Sequence, residues 1–285
     1  MSIIVDHCAI PCAYGLLISK TAASYRIFFD SIRAAVGLNW YPIRIMADFE
    51  QAAISAAKAV FPNSQLSGCL FHFGRALFKR LQRLPNLLTQ CNNNNDNMRV
   101  SLRSLQALSF VPTDFVYNYF CILMSTLEPT EELQGPLQIL DNEEELEADA
   151  GGAADGWIRD QIIALNLGHL NAIFPITLWN MTERVAEQLS RTNNSVEAWH
   201  GVWNAHLKGI QRLSPFCRKM VEEDKMWADR VADFQASPAD GIRGPYEKRR
   251  EKVIRQDNNL EAIVADFENR DPLQYLHNCA YHLHF

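Results

Sequence analysis

The sequence lacks any run of eighteen uninterrupted apolar residues, so no membrane-spanning helix is expected. Met1–Val5 lacks the basic stretch and the long apolar run of a secretory signal. The seven cysteines, at positions 8, 12, 69, 91, 121, 217 and 279, are odd in number and widely scattered. That excludes a disulfide-stapled miniprotein and points to a reduced, intracellular chain. Glycine and proline are too few, 13 and 12 in 285 residues, for a collagen-like fibre. With 48% hydrophobic and 21% charged residues the chain is not disordered, and it is long enough to bury a core as one large domain or two ordinary ones.

Positive charge is missing from one long stretch. Between Glu128 and Asp155 stand ten acids and no Lys or Arg. The net charge of −6 argues at first against a nucleic-acid partner, but the rest of the chain sets 27 bases against 23 acids, a balance of +4. The body is mildly basic, with one acidic segment inserted.

The first ninety residues read as α/β. Ser2–Cys8 and Cys12–Ser19 are apolar runs parted by a turn-like Ala-Ile-Pro, and they predict two strands. Over Thr21–Val36, Tyr25, Phe28, Phe29, Ile32 and Val36 recur at helical steps. A third strand, Ile43–Ala47, ends at Asp48. Phe49, Ala53, Ala56, Ala57 and Val60 form a helical stripe stopped by Pro62. Gln65–Phe71 predicts a fourth strand and Arg75–Leu87 a basic amphipathic helix. Asn92–Asn95 is a polar loop. Met98–Leu127 predicts a mostly buried helix, and the acidic segment a glycine-containing loop. Trp157–Leu207 predicts helix broken near Pro175, Ser214–Gln235 another helix, and Lys248, Arg249, Arg250, Lys252 and Arg255 mark a basic one. The division expected is a core over 1–90, a helical insertion over 91–175, a helix-bearing segment over 176–210 and a helical C-terminal region over 211–285.

Four groups carry candidate chemistry. Asp48 ends an apolar strand, where α/β proteins commonly build sites at the sheet rim, but it also precedes a helix it would serve as N-cap. Glu197 and His200, three residues apart, share a helical face behind the polar pair Asn193 and Asn194; a solvated glutamate is the plain alternative. Cys69 and His72 form a Cys-x-x-His pair, which supplies only two of the four ligands zinc needs, so a buried cysteine and a hydrogen-bonded histidine compete with a metal site. A second such pair, Cys279 and His282, lies in a tail that also carries His277 and His284. Trp199 and Trp203 would serve either to stack on a base or as core.

Taken in order, Ala-Asp-Phe-Glu-Gln-Ala-Ala-Ile-Ser-Ala (47–56), Phe-Pro (61–62), Gly-Cys-Leu-Phe-His-Phe (68–73) and Arg-Thr-Asn-Asn-Ser-Val-Glu-Ala-Trp-His (191–200) resemble the MULE (Mutator-like element) transposase domain. Ile10–Leu17, Lys20, Tyr25, Phe174 and Trp179 fit the segments around those motifs. The resemblance covers roughly residues 3–210. It implies an RNase H-like, integrase-like mixed sheet with a large helical insertion, and a DDE active site whose three carboxylates hold two Mg²⁺ or Mn²⁺ ions. Two such ions activate the attacking oxygen and stabilise the leaving oxygen in phosphoryl transfer, and Asp and Glu suit hard cations. By match, Asp48 is the second acid and Glu197 the third, both catalytic and metal-binding. Cys69 and His72 match the family's Cys-x-x-His, with His72 placed to orient DNA or an active-site group. Asn193, Asn194 and His200 support the third acid. The partners implied are transposon ends and target DNA, with a homo-oligomer compatible, a nuclear location and no membrane; zinc is not expected.

The family's first Asp lies on a strand upstream of the one leading to Ile-Pro-Cys. With Met1 as the start, that strand has no residues here, and Asp6 is the single acid before Asp30 available as a surrogate. The expectation is an N-terminally truncated, RNase H-like core that is inactive as written. Three basic clusters are available to DNA: Arg75, Lys79, Arg80 and Arg83; Lys208, Arg212, Arg218 and Lys219; and Lys248, Arg249 and Arg250 with the bases that follow. Each competes with a reading as a solvated helix face. Two further readings stand beside the transposase: a domesticated, non-catalytic DNA- or protein-binding factor, and a zinc-binding interaction module built on Cys69, His72 and the His-rich tail.

Overall fold

Residues 1–5, 8–81, 96–126, 174–208, 212–238, 241–242 and 251–283 are described by the structure, a computed structural model. In chain order they form β1 (Ser2–Val5), β2 (Cys8–Pro11), α1 (Ala22–Val36), β3 (Arg44–Ala47), α2 (Gln51–Val60), β4 (Gln65–Gly68), α3 (Leu70–Leu81), α4 (Asp96–Ala107), α5 (Val116–Thr126), α6 (Ile176–Trp179), α7 (Thr182–Ala186), α8 (Asn194–Leu207), α9 (Leu213–Ala236), α10 (Glu251–Ala265) and α11 (Pro272–Tyr281). The architecture is mixed α/β, mostly helical with small sheets. Among the described residues the strands make two two-stranded sheets, β1–β2 antiparallel and β3–β4 parallel. Asp6, Arg83, Asn92–Asn95, the acidic segment and Lys248–Arg250 lie outside the described residues.

The chain divides into two compact units. The first comprises Met1–Ile43, Glu50–Ser64 and Thr192–Arg250; the second comprises Arg44–Phe49, Gln65–Arg191 and Glu251–Phe285.

In the first unit, β1 and β2 pair from Ser2↔Pro11 to Val5↔Cys8. The Ala-Ile-Pro stretch is therefore strand rather than turn. Pro11 is tolerated because it sits in the outermost pair, where no ladder bond is lost inside the sheet. The apolar run after it forms no strand, and Leu16 and Ile18 are exposed. Cys8 and Ile10 of β2 bury with Trp227 of α9 and Ile242. Helix α1 starts where expected: the Thr21 hydroxyl accepts from the Ser24 N–H, a serine/threonine cap. It ends at Gly37, whose φ of 138° favours glycine. Phe29 of α1 meets Phe61, just past α2, edge-on at 5.9 Å, and Trp40 meets the same ring at 6.1 Å.

The second unit holds the larger core, with Phe73, Leu77, Leu105, Leu108, Phe110, Leu123, Trp179 and Tyr275 among its buried members. The Phe73 and Trp179 rings stack at 5.1 Å, 4° from parallel. The helix expected across Met98–Leu127 is two helices separated by 3-10 turns at Leu108–Phe110 and Thr113–Phe115. Pro112 explains the break: it offers no N–H, and it holds Val111 extended at ψ 134°. The helix expected to run to Leu207 is broken more often than Pro175 alone requires. Asn180 is extended, and Gln188 takes a left-handed φ of 55°.

Helix α11 closes this core. Asp271 caps it by accepting from the Gln274 N–H, and the Tyr275 hydroxyl donates to the Phe110 carbonyl. Burial pushes the Cys279 thiol up to about 12 and raises Tyr275 as well. Both groups stay protonated at neutral pH. A proton held more tightly by the folded chain gives stability that is complete below the unfolded pKa and is lost as pH rises towards the folded one. The urea midpoint should therefore be insensitive to Cys279 below about pH 9 and fall between about pH 9 and 12, with a shallower fall in Cys279→Ala.

Candidate functional site

The pairing of β3 with β4 decides where the candidate residues of the second unit meet. Its last register pair is Ala47↔Gly68, and the Cys69 N–H donates to the Ala47 carbonyl at 3.0 Å, extending the contact one step. Asp48 follows Ala47, and the chain after Cys69 turns directly into α3. Strand β4 is thus three residues shorter than expected, and Cys-x-x-His spans a strand-to-helix junction. His72 lies in the first turn of α3, and its Nδ1 is 3.0 Å from Asp48 Oδ1. The imidazole and the carboxylate are in close contact at that separation. About half of the Asp48 side chain is exposed, against a quarter of His72.

The N-cap reading of Asp48 does not hold. Helix α2 begins at Gln51 with Glu50 at the cap position and no side-chain capping bond. Glu50 instead accepts from the Tyr25 hydroxyl at 2.8 Å and faces Lys20 at 3.7 Å. Asp48 is left at the strand end, engaged by an imidazole.

Phe49 is packed behind it. A Cβ at Gly68 would lie 2.3 Å from the tip of the Phe49 ring, so only glycine fits at that position while the ring stays there. The ring sits 5.0 Å from Phe174 and 6.0 Å from Phe73. The Leu70 N–H donates to the Arg191 carbonyl at 3.0 Å, tying the start of α3 to the first residue of the Arg-Thr-Asn-Asn motif. Arg191 is paired with Asp257 of α10, and Arg184 reaches the Ser190 carbonyl at 2.8 Å and the Ser67 hydroxyl at 3.1 Å.

Cys69 is fully buried, and its carbonyl accepts from Phe73 within α3. In the tail, Cys279 is a buried, protonated thiol rather than a thiolate. Among the described residues no group of three or more His, Cys, Asp and Glu is placed to hold a metal ion.

Glu197 and its neighbours belong to the first unit. Asn193 occupies the cap position of α8 without a side-chain cap bond; Asn194 opens the helix, and the Glu197 N–H donates to the Asn193 carbonyl at 2.9 Å. Glu197 is half-buried in the first turn, where a negative charge suits the helix dipole. His200 is exposed one turn on, its ring 5.0 Å from Trp199. Trp199 and Trp203 are buried and stacked at 5.6 Å, so they are core and not a base-stacking surface.

What holds α8 was not visible in the sequence. Glu223 of α9 is buried, and one carboxylate oxygen accepts from both Trp199 Nε1 at 2.7 Å and Trp227 Nε1 at 3.0 Å. A glutamate amid mixed charges on a long helix gives no sign of this. Of the basic candidates, Arg75 and Lys79 are exposed on α3, and Arg80 lies on the same helix. Lys219 is paired with Glu222 at 2.6 Å, a solvated helix-face contact.

Residues 2–75 match the family model of the MULE transposase domain. That stretch includes Asp48, Cys69 and His72, and it ends before the motif bearing Glu197. No curated protein and no solved structure matches the chain.

Glu223→Ala would leave two buried indole N–H groups without their acceptor, each costing roughly 1–3 kcal/mol. Chemical denaturation followed by tryptophan fluorescence should show a loss of at least about 2 kcal/mol, and a smaller loss in Glu223→Gln, which keeps an acceptor oxygen.

Proposed function

With residues 2–75 matching the MULE transposase domain, we propose that this transposase-derived protein binds DNA and holds divalent cations through a site of the kind built for phosphoryl transfer, of whose three carboxylates it carries two. Its core over 1–90 is of the RNase H-like kind, followed by a helical insertion over 91–175. Asp48 and Glu197 supply carboxylates to the cations, His72 orients Asp48, and Asn193, Asn194 and His200 support the helix carrying Glu197. Nuclear residence follows from the same reading.

One observation carries the proposal. The matched family segment contains an aspartate at a strand end that is not a helix cap, and its carboxylate is contacted by the histidine of the family's Cys-x-x-His. The donor chemistry fits a hard cation. Asp48 offers carboxylate oxygen, half exposed at the strand end, and Mg²⁺ and Mn²⁺ prefer oxygen ligands. Bound at such carboxylates, a divalent ion supplies charge stabilisation to an attacking or leaving oxygen. The chain's own part is to keep the Asp48 carboxylate against the His72 imidazole, and to present Glu197 from the first turn of α8.

Paramagnetic resonance of Mn²⁺ titrated into the full chain tests this without requiring turnover. Asp48→Ala and Glu197→Ala should each weaken Mn²⁺ binding at least tenfold, about 1.4 kcal/mol, while binding of duplex DNA at fixed salt changes little. Unchanged Mn²⁺ affinity in either variant removes that residue from the proposed site.

A further inference from the structure

Helix α3 has two unlike faces. Leu70, Phe73, Gly74 and Leu77 are buried in the core of the second unit. Gly74 is needed there, because a Cβ would lie 2.4 Å from the Gln106 amide, which itself donates to the Leu70 carbonyl at 3.1 Å. The inward face is therefore fixed, and the rotation of the helix with it. On the outward face, Phe71, Arg75 and Lys79 are all exposed. They are spaced four residues apart, so they line one stripe with a rise of about 6 Å between successive members.

Phe71 is 38% exposed beside the contact between His72 and Asp48. Its ring meets the His72 ring edge-on at 5.5 Å, which leaves a ring face for another partner. Arg75 and Lys79 enter no ion pair among the described residues, so both cations face outward uncompensated. An aromatic ring followed by a row of cations is the combination that holds a single nucleic-acid strand: the ring stacks on a base, and the cations follow the phosphates. Duplex DNA keeps its bases stacked on each other and offers the ring nothing, so the ring discriminates between the two forms.

We propose that the Phe71–Arg75–Lys79 stripe binds an unpaired DNA strand, with a base stacked on Phe71 and the backbone running along α3 past Arg75 and Lys79. The proposal rests on the reading of the protein as DNA-acting and adds to it the form of DNA taken beside Asp48.

Fluorescence anisotropy on the full chain tests it with two probes, a labelled blunt duplex and the same duplex bearing a single-stranded overhang. The wild type should bind the overhang probe more tightly. Phe71→Ala should lose about tenfold on the overhang probe and little on the blunt one, and Phe71→Trp should restore the difference. Replacing Arg75 and Lys79 by Ala together should weaken the overhang complex and reduce the slope of log affinity against log salt by about 1–2. Equal binding of the two probes by the wild type, or an unchanged overhang affinity in Phe71→Ala with normal circular dichroism, overturns the proposal and leaves the DNA reading standing. Failure of the wild type to bind either probe overturns the DNA reading itself, and the proposal with it.

Discussion

Four residue pairs between β3 and β4 set the geometry on which the candidate site depends. The register from Arg44↔Gln65 to Ala47↔Gly68 places the ends of both strands level. The residue after one strand, Asp48, and the first turn of the helix after the other, which carries His72, are thereby brought within hydrogen-bonding distance. A slip of one residue would turn each side chain of the strand to the opposite face and separate the pair. Two strands of four residues are a small platform for such a demand. The surroundings of β4 make up for it: Arg184 reaches Ser67, Leu70 is tied to Arg191, and Phe49 packs into the space that Gly68 leaves.

Much of this is legible in the sequence, for identifiable reasons. Helix α1 is readable because its apolar stripe, its threonine cap and its terminal glycine agree. The strand ending at Asp48 is readable because an apolar run stops at a charge. The Cys-x-x-His pair is recognisable as a motif, but its setting is not: an apolar stretch from Leu66 to Phe71 suits a buried strand or the start of a buried helix equally, and only packing against Leu105 and Trp179 selects the helix. Ala-Ile-Pro is strand rather than the expected turn, because proline at a strand end and proline in a turn look alike without the partner strand.

Side-chain partnerships across elements were the least legible. Trp199 and Trp203 at helical spacing give no hint that Glu223, more than twenty positions later, would receive an indole N–H from the same helix. Glu197 shows the same limit in another form. Its motif is explicit in the sequence, and its place in the first turn of α8 is as expected. Asp48 and Glu197 nevertheless fall in different compact units. Charge was more informative once divided by region: the acidic balance of the whole chain obscures a basic body, and the outward cations of α3 belong to that body.

The fit between Phe49 and Gly68 constrains how this part of the sequence is able to change over generations. Any side chain at 68 collides with the ring, so a change there is tolerated only in a chain whose residue 49 has already become smaller. A smaller residue at 49, in turn, opens a void against Phe73 and Phe174. Each single step passes through a less stable intermediate, while the double change need not. Positions 49 and 68 are thus expected to vary together or not at all, and that coupling shields the neighbouring Asp48 from drift in its immediate setting.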